Sequence, residues 1–279
     1  MQPERLSNDA YLSFAAPFRI FRHSLTGEIV VHWHEFYELA LVLSGEGTHI
    51  LNGTPYPLAP GAVFLLTPTD FHALQPDLRR GTLELYNFIF SDALLSDDLR
   101  ALVFGASKTY HVLFDGDERS RVAQYFETLW REAEGEDRGY SLMIRAALEQ
   151  ILITLSRQSS AAQPDAPPIY HPAVQKAILY IDHHFREPLS LKSLAVQVNL
   201  APNYLSELFQ RATGMPFQAY LQDVRLRFAL ALLQSSSVSI TEVCYISGFN
   251  NLSHFTRAFK KKFNYSPRET RRLIAYDRP

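Results

Sequence analysis

The sequence predicts two domains, an N-terminal all-β barrel backed by two helices and a C-terminal all-α domain holding two helix-turn-helix units. Three observations predict this division. Short runs with strand-like alternation and turn residues fill residues 29–90. A helical period replaces them from residue 118 onward. One pattern of short helix, tight turn and longer helix occurs twice in the last third, at 190–214 and again at 239–264. At 279 residues, 47% of them hydrophobic, the chain is long enough to fill two cores.

In the β region, runs rich in Val, Ile, Leu, Tyr and Phe are punctuated by Gly45-Glu46-Gly47, Asn52-Gly53 and Pro60-Gly61. Asn-Gly between 48–51 and 54–58 signals a hairpin, because a type I′ turn needs positive φ at both central residues. Several short strands at this spacing build a small barrel or sandwich. Residues 118–134 then place Val122, Tyr125, Phe126, Leu129, Trp130 and Ala133 on one helical face. A second helix over 140–157 is apolar at Leu142, Met143, Ala146, Ala147, Leu148, Ile151, Leu152 and Leu155. That face is broader than one contact with the barrel requires, so part of it is a candidate subunit interface. The stretch SRQSSAAQPDAPP at 156–168 has no apolar period and reads as a partly extended linker. The expected division is therefore a sensing and dimerisation domain at 1–157, a linker at 158–170 and a helical domain at 171–279.

Charge follows the same division. Residues 171–279 carry fourteen Lys/Arg against seven Asp/Glu, net +7, while residues 1–170 carry thirteen against twenty-two, net −9. A basic module joined to an acidic one fits a DNA reader tied to a domain that does not bind DNA. Cys244 is the single cysteine, which excludes an intramolecular disulfide and a multi-thiolate zinc site; its apolar neighbours make it a buried thiol. The N-terminus lacks a secretory pattern and no apolar run approaches the roughly 20 residues of a membrane span. A cytoplasmic location without membrane contact is expected.

In the first unit Ser190 is the expected N-cap, with Leu191, Leu194, Ala195 and Val198 packed. Pro202 opens the second helix, Leu205, Leu208 and Phe209 face inward, and Gly214 closes it. The outward face is Asn203, Ser206, Glu207 and Gln210, with Arg211 beside it. In the second unit Ile240, Val243 and Ile246 pack, Gly248 permits the turn, and Asn250 or Asn251 caps the next helix. Phe255 and Phe259 point inward, leaving Ser253, Thr256, Arg257 and Lys260 outward, followed by Lys261 and Lys262. Short or forked polar groups suit base edges in the major groove, and terminal lysines suit phosphates. The candidate DNA-binding set is Asn203, Ser206, Glu207, Gln210, Arg211, Asn251, Ser253, Thr256, Arg257, Lys260 and Lys261. The second unit should supply more of the electrostatic grip.

This order of motifs resembles the AraC/XylS family of bacterial transcription regulators over about residues 172–272. The resemblance rests on Leu205-Ser206-Glu207-Leu208-Phe209, Thr213-Gly214, Arg225-Leu226, Gly248-Phe249, His254-Phe255 and Ser266-Pro267, among others. It implies two helix-turn-helix subdomains joined by a rigid helix over 217–233, entering successive major grooves roughly 34 Å apart. Glu207 departs from the Arg or Lys that many relatives carry, so a relative's target sequence does not transfer. A carboxylate at that position either accepts from cytosine N4 or pairs with a neighbour.

The N-terminal candidate site is His32-Trp33-His34-Glu35-Phe36-Tyr37-Glu38, followed by His72. If residues 31–42 form one extended strand, alternation puts His32, His34 and Glu38 on one face. The spacing resembles the cupin pattern, which implies a small β-barrel with four ligands at His32, His34, Glu38 and His72. Three roles stay open for this set: hydrogen bonds to an effector, a divalent metal site, or a structural network. The run from His32 through Gly45-Glu46-Gly47-Thr48-His49 to Asn52-Gly53 looks most like the sugar-responsive branch of the family, including the rhamnose regulators. The expectation is a non-enzymatic, effector-controlled transcription regulator with no catalytic residues and no cofactor. Its expected partners are double-stranded DNA, a sugar-like small molecule, a second copy of the chain and RNA polymerase. The alternative is a metal-dependent cupin enzyme or metal sensor fused to a DNA-binding domain.

Overall fold

The computed structural model describes residues 4–6, 8–12, 17–104, 110–161, 171–236 and 238–276. It divides into two compact units, which are described separately, with the division at residues 169 and 170.

The N-terminal unit begins with a short strand, β1 (Glu4–Leu6), and one helical turn, α1 (Asn8–Tyr11). Eight strands follow: β2 (Phe18–Leu25), β3 (Ile29–His34), β4 (Tyr37–Ser44), β5 (Gly47–Leu51), β6 (Thr54–Leu58), β7 (Ala62–Leu66), β8 (Phe71–Pro76) and β9 (Leu83–Phe90). Then come α2 (Asp97–Phe104), β10 (Tyr110–Leu113), α3 (Gly116–Gly135) and α4 (Tyr140–Ala161). Two five-stranded sheets form, ordered β1-β3-β8-β5-β6 and β10-β7-β4-β9-β2. The β5–β6 hairpin turns at Asn52 (φ 51°) and Gly53 (φ 83°), the two positive values the Asn-Gly pair predicts.

Strands β4 and β7 are buried on both faces, so their alternation feeds two cores. Ala40, Val42, Phe64 and Leu66 meet Leu51, Leu58 and Leu74 of the other sheet between the two sheets. Tyr37, Leu39, Leu41, Val63 and Leu65 point the other way, against Val122, Phe126 and Leu129 of α3 and Ile144, Leu148, Ile151 and Leu155 of α4. Both helices run longer than the 118–134 and 140–157 read from the sequence. Helix α4 takes in residues 158–161, the first four assigned to the linker; residues 162–170 lie outside the described part. The broad apolar face of α4 is divided. Ala147, Leu148, Ile151, Leu152 and Leu155 are buried, whereas Leu142 is 71% and Met143 50% exposed and Ala146 is exposed beside them.

The C-terminal unit is helical: α5 (Pro172–His184), α6 (Leu191–Gln197), α7 (Pro202–Thr213), α8 (Phe217–Ser235), α9 (Ile240–Ile246), α10 (Leu252–Phe263) and α11 (Pro267–Tyr276). Each helix-turn-helix opens with a capping box. Ser190 Oγ accepts from the Ser193 N–H, and Ser239 Oγ accepts from the Glu242 N–H while the Glu242 carboxylate accepts from the Ser239 N–H. Asn251, rather than Asn250, caps α10, its Oδ1 accepting from the His254 N–H at 2.8 Å. Leu205 and Phe209 in α7, and Phe255 and Phe259 in α10, are the buried anchors. Cys244 is buried, and burial raises its thiol pKa, as expected of an inert structural thiol.

The two tight turns repeat one geometry, with Asn199 (φ 55°) and Gly248 (φ 83°) at the same position. Only the second is closed to side chains. A Cβ on Gly248 would stand 2.8 Å from both Arg186 Cα and the Phe185 carbonyl oxygen. Gly248→Ala therefore combines left-handed strain with a backbone clash and should cost about 2 kcal/mol or more of stability. A urea or thermal midpoint unchanged from the parent protein would contradict this account of the turn.

Candidate functional site

The candidate DNA-reading surface is set by two helices whose exposure patterns are identical. Aligning α7 with α10 pairs Asn203 with Ser253, Tyr204 with His254, Ser206 with Thr256, Glu207 with Arg257, Gln210 with Lys260 and Arg211 with Lys261. Ser206 and Thr256 are half-buried; all the others are exposed. The structure thus places every candidate except Asn251 along the outward rows of the two helices, and Asn251 at the cap of the second. Asn251 uses Oδ1 for the cap, which leaves its amide N–H groups for other contacts. The Arg257 Nε donates to the Ser253 carbonyl at 3.4 Å, steering the guanidinium along the helix surface.

Two features of this surface differ from the sequence reading. Lys262 is not an outward phosphate-binding lysine: it is only 25% exposed and is ion-paired with Asp223 of α8, which also holds Arg227 at 2.8 Å. The charged grip of α10 rests on Arg257, Lys260 and Lys261. Sequence reasoning also passed over Tyr204, 51% exposed, and its counterpart His254, because polar short side chains were sought. Registering the two helices on their buried Phe anchors would have found both. The paired positions differ sharply in charge, Glu207 against Arg257 and Gln210 against Lys260.

In the N-terminal unit, His32, His34, Glu38 and His72 are all buried and come together. They do so by a different route from the one expected. Residues 31–42 are not a single strand: the chain leaves β3 after His34 and enters β4 at Tyr37 in the other sheet. His32 and His34 project from one sheet, and Glu38 faces them from the opposite one. His72 sits beside His32 in the β3–β8 register. Glu38 Oε2 lies 3.4 Å from His34 Nε2 and 3.7 Å from His72 Nε2, and the His32 and His72 rings are 4.3 Å apart.

Further groups, not singled out from the sequence, complete the cluster. His49 on β5 puts Nε2 3.2 Å from His72 Nδ1, and His111 on β10 lies 5.6 Å from the His49 ring centre to centre. Burial dominates the electrostatics. It pushes the Glu38 carboxyl up to about 8, against a smaller opposing hydrogen bond from Asn87. It lowers His49 to about 3, with the neighbouring His111 and His32 adding to the shift, and takes His72 well below its ordinary value. His111 falls to about 4 for the same reason. At neutral pH His49, His72 and His111 are uncharged imidazoles close to a carboxyl group. Such a set offers hydrogen-bond donors and acceptors to a hydroxylated ligand, or nitrogen and oxygen ligands to a metal.

Comparison with known proteins follows the two units. Residues 15–152 match the family described as AraC-like ligand binding domain, and residues 194–273 match one described as helix-turn-helix domain. The HTH-type transcriptional activator RhaS of Escherichia coli (strain SE11) is 29% identical over 251 residues, 86% of each chain. RhaS of Salmonella paratyphi B is 28% identical over 278 residues, 95% of each chain. Among solved structures, ToxT from Vibrio cholerae O395 aligns over 92% of this chain and 98% of its own, at 14% identity and a TM-score of 0.39.

The two reading helices make separable predictions. Arg257→Ala should weaken binding to a specific site by about 1–3 kcal/mol while barely changing binding to random DNA. Lys261→Ala should lower affinity for both and reduce the slope of log K against log salt by about one. Salt-dependent titrations on both DNA types check this. Equal losses on specific and random DNA in the Arg257 variant would remove its base-reading role.

Proposed function

The chain belongs to the AraC family, and on that premise we propose that a sugar bound in the N-terminal barrel controls activation of transcription by the C-terminal unit. It is a DNA-binding regulator that joins an AraC-like ligand-binding domain to an AraC-type helix-turn-helix domain. The observation carrying the effector reading is the buried ring of His32, His34, Glu38, His49 and His72, with Asn87 bonded to Glu38. Buried polar groups are costly unless paired, and a molecule dense in hydroxyls pairs both donors and acceptors. Relatives named as the activator RhaS support activation as the outcome, and with it contact with RNA polymerase. Binding, not catalysis, is the role assigned to the barrel.

The active form is read as a homodimer. Leu142, Met143 and Ala146 form an exposed apolar strip at the start of α4, in a helix whose other side is fully packed. Symmetric pairing through that strip would bring two DNA-reading units to adjacent sites. Among the described residues no helix is long and apolar enough to cross a membrane. As a DNA-binding regulator the chain is assigned to the cytoplasm. The effector acts only to the extent that it binds the DNA-competent arrangement better than the alternative.

A panel of monosaccharides tested by thermal denaturation and by operator binding checks the proposal. The cognate sugar at 100 times its Kd should add about 2.7 kcal/mol to the stability of the sensing domain. Glu38→Gln should reduce that gain without altering affinity for DNA. A panel in which no sugar moves either the melting point or operator occupancy would sink the carbohydrate assignment.

A further inference from the structure

A groove in the C-terminal unit lies beside the reading helices. It has a volume of about 740 Å³ and runs between α8, the segment joining α5 to α6, and the tight turn ahead of α10. Gln218, Gln222 and Arg225, spaced i, i+4 and i+7 on α8, form one wall. Arg186 stands on the second wall, and Asn250 and His254 stand on the third. Among the described residues that line the groove, none is acidic. The carboxylates next in sequence to its lining residues are engaged elsewhere. Asp223 pairs with Lys262 and Arg227, and Glu187 lies 3.2 Å from His184 Nδ1. Both arginines are held in place. Arg225 Nε and Nη2 donate to the Phe185 and Glu187 carbonyls at 2.6 and 2.8 Å. The Arg186 guanidinium carbon stands 5.0 Å from the Phe185 ring centre and 5.4 Å from that of Phe228. His254 belongs both to this groove and to the outward row of α10, and its Nε2 is 3.4 Å from Gln222 Nε2. The groove therefore opens directly beside the candidate DNA-reading surface.

We propose that this groove binds a backbone phosphate of the DNA strand that crosses between the two reading helices. The inference rests on the DNA-binding reading and adds a contact centred on α8 and Arg186, away from the reading faces. Two helices in successive major grooves straddle the minor groove between them, and its sugar-phosphate backbone passes the connecting helix. A phosphodiester is an anion that only accepts hydrogen bonds. The polar lining of the groove answers it with guanidinium, amide and imidazole groups, all able to donate. Arginines already fixed by carbonyls and ring faces lose little freedom when they take up an anion. Such a contact fixes the register of the protein on the duplex and carries no sequence information.

The test uses the full-length protein and an operator selected from random duplexes. Single uncharged methylphosphonates are placed in turn along both strands of the segment between the two boxes. One position should cost the parent protein about 10-fold in affinity, the scale of a hydrogen bond to a charged group. In Arg186→Ala and in Gln218→Glu the same replacement should cost less than about 2-fold, because the contact is already lost. Arg186→Ala should also weaken binding to specific and random DNA alike and reduce the slope of log K against log salt by about one. Gln218 is exposed, so Gln218→Glu keeps the test valid if Arg186→Ala, which uncovers two phenylalanine rings, does not fold by circular dichroism. Gln150→Glu on α4 changes the net charge equally and should leave DNA binding unchanged. Parent-like DNA affinity in both groove variants, or a methylphosphonate penalty that persists in full in both, overturns the site. So does uptake of inorganic phosphate by the groove that leaves DNA affinity untouched, which would assign it to a free anion. Failure of the parent protein to bind any duplex would overturn the DNA reading itself and this contact with it.

Discussion

Because side chains on a strand alternate strictly, a strand wedged between two cores has no neutral face, and every residue on it is committed to one side or the other. Strand β4 is such a strand. Tyr37, Leu39 and Leu41 are claimed by the helices α3 and α4, so Glu38, Ala40 and Val42 must face the other sheet. A slip of one residue would put Glu38 into the aromatic layer under the helices and three apolar side chains into the histidine cluster. The apolar packing against α3 and α4 therefore holds a carboxyl group in a place where, on its own, burial disfavours its charge. The helices do more than complete a core: they fix the register that builds the interior site.

The C-terminal unit shows the opposite economy, one scaffold used twice with different surfaces. The capping boxes of α6 and α9, the left-handed turn residues and the buried anchors repeat between α6–α7 and α9–α10, and so does the exposure of each outward position. The chemistry at those positions does not repeat. Glu207 and Gln210 leave α7 without a positive charge until Arg211, whereas α10 offers Arg257, Lys260 and Lys261. Phosphate contacts supply affinity and register, while base contacts supply discrimination. The cations of α10 suit phosphate contacts, and Arg257 among them can also fork onto a base edge, whereas α7 offers only uncharged or acidic groups before Arg211.

Much of this was legible in the sequence wherever the determinant was local. Asn52-Gly53 specifies its turn, Ser190 and Ser239 specify helix starts, and the 3.6-residue period identifies Leu205, Phe209, Phe255 and Phe259 as anchors. The convergence of His32, His34, Glu38 and His72 was also legible, though for an incomplete reason: the break at residues 35–36 moves Glu38 to a different sheet, and the faces still meet. What depended on distant partners was not legible. Nothing near Lys262 announces Asp223, which lies 39 residues earlier. His49 and His111 reach the cluster through strand pairings that the local pattern does not encode. The apolar breadth of α4 was visible, but only packing reveals which residues it leaves uncovered.

The pairing of Lys262 with Asp223 has a consequence for the spelling of the target. Asp223 belongs to α8, a helix of 19 residues and so about 29 Å long, and Arg227 braces the same carboxylate from one turn further along. The second reading helix is thus tethered to the rod between the two units. Inserting one base pair between the two DNA boxes moves one of them by about 3.4 Å and turns it by about 34° around the duplex axis. A rod braced in this way resists that rotation, so the spacing of the two boxes, and not base identity alone, is expected to affect binding.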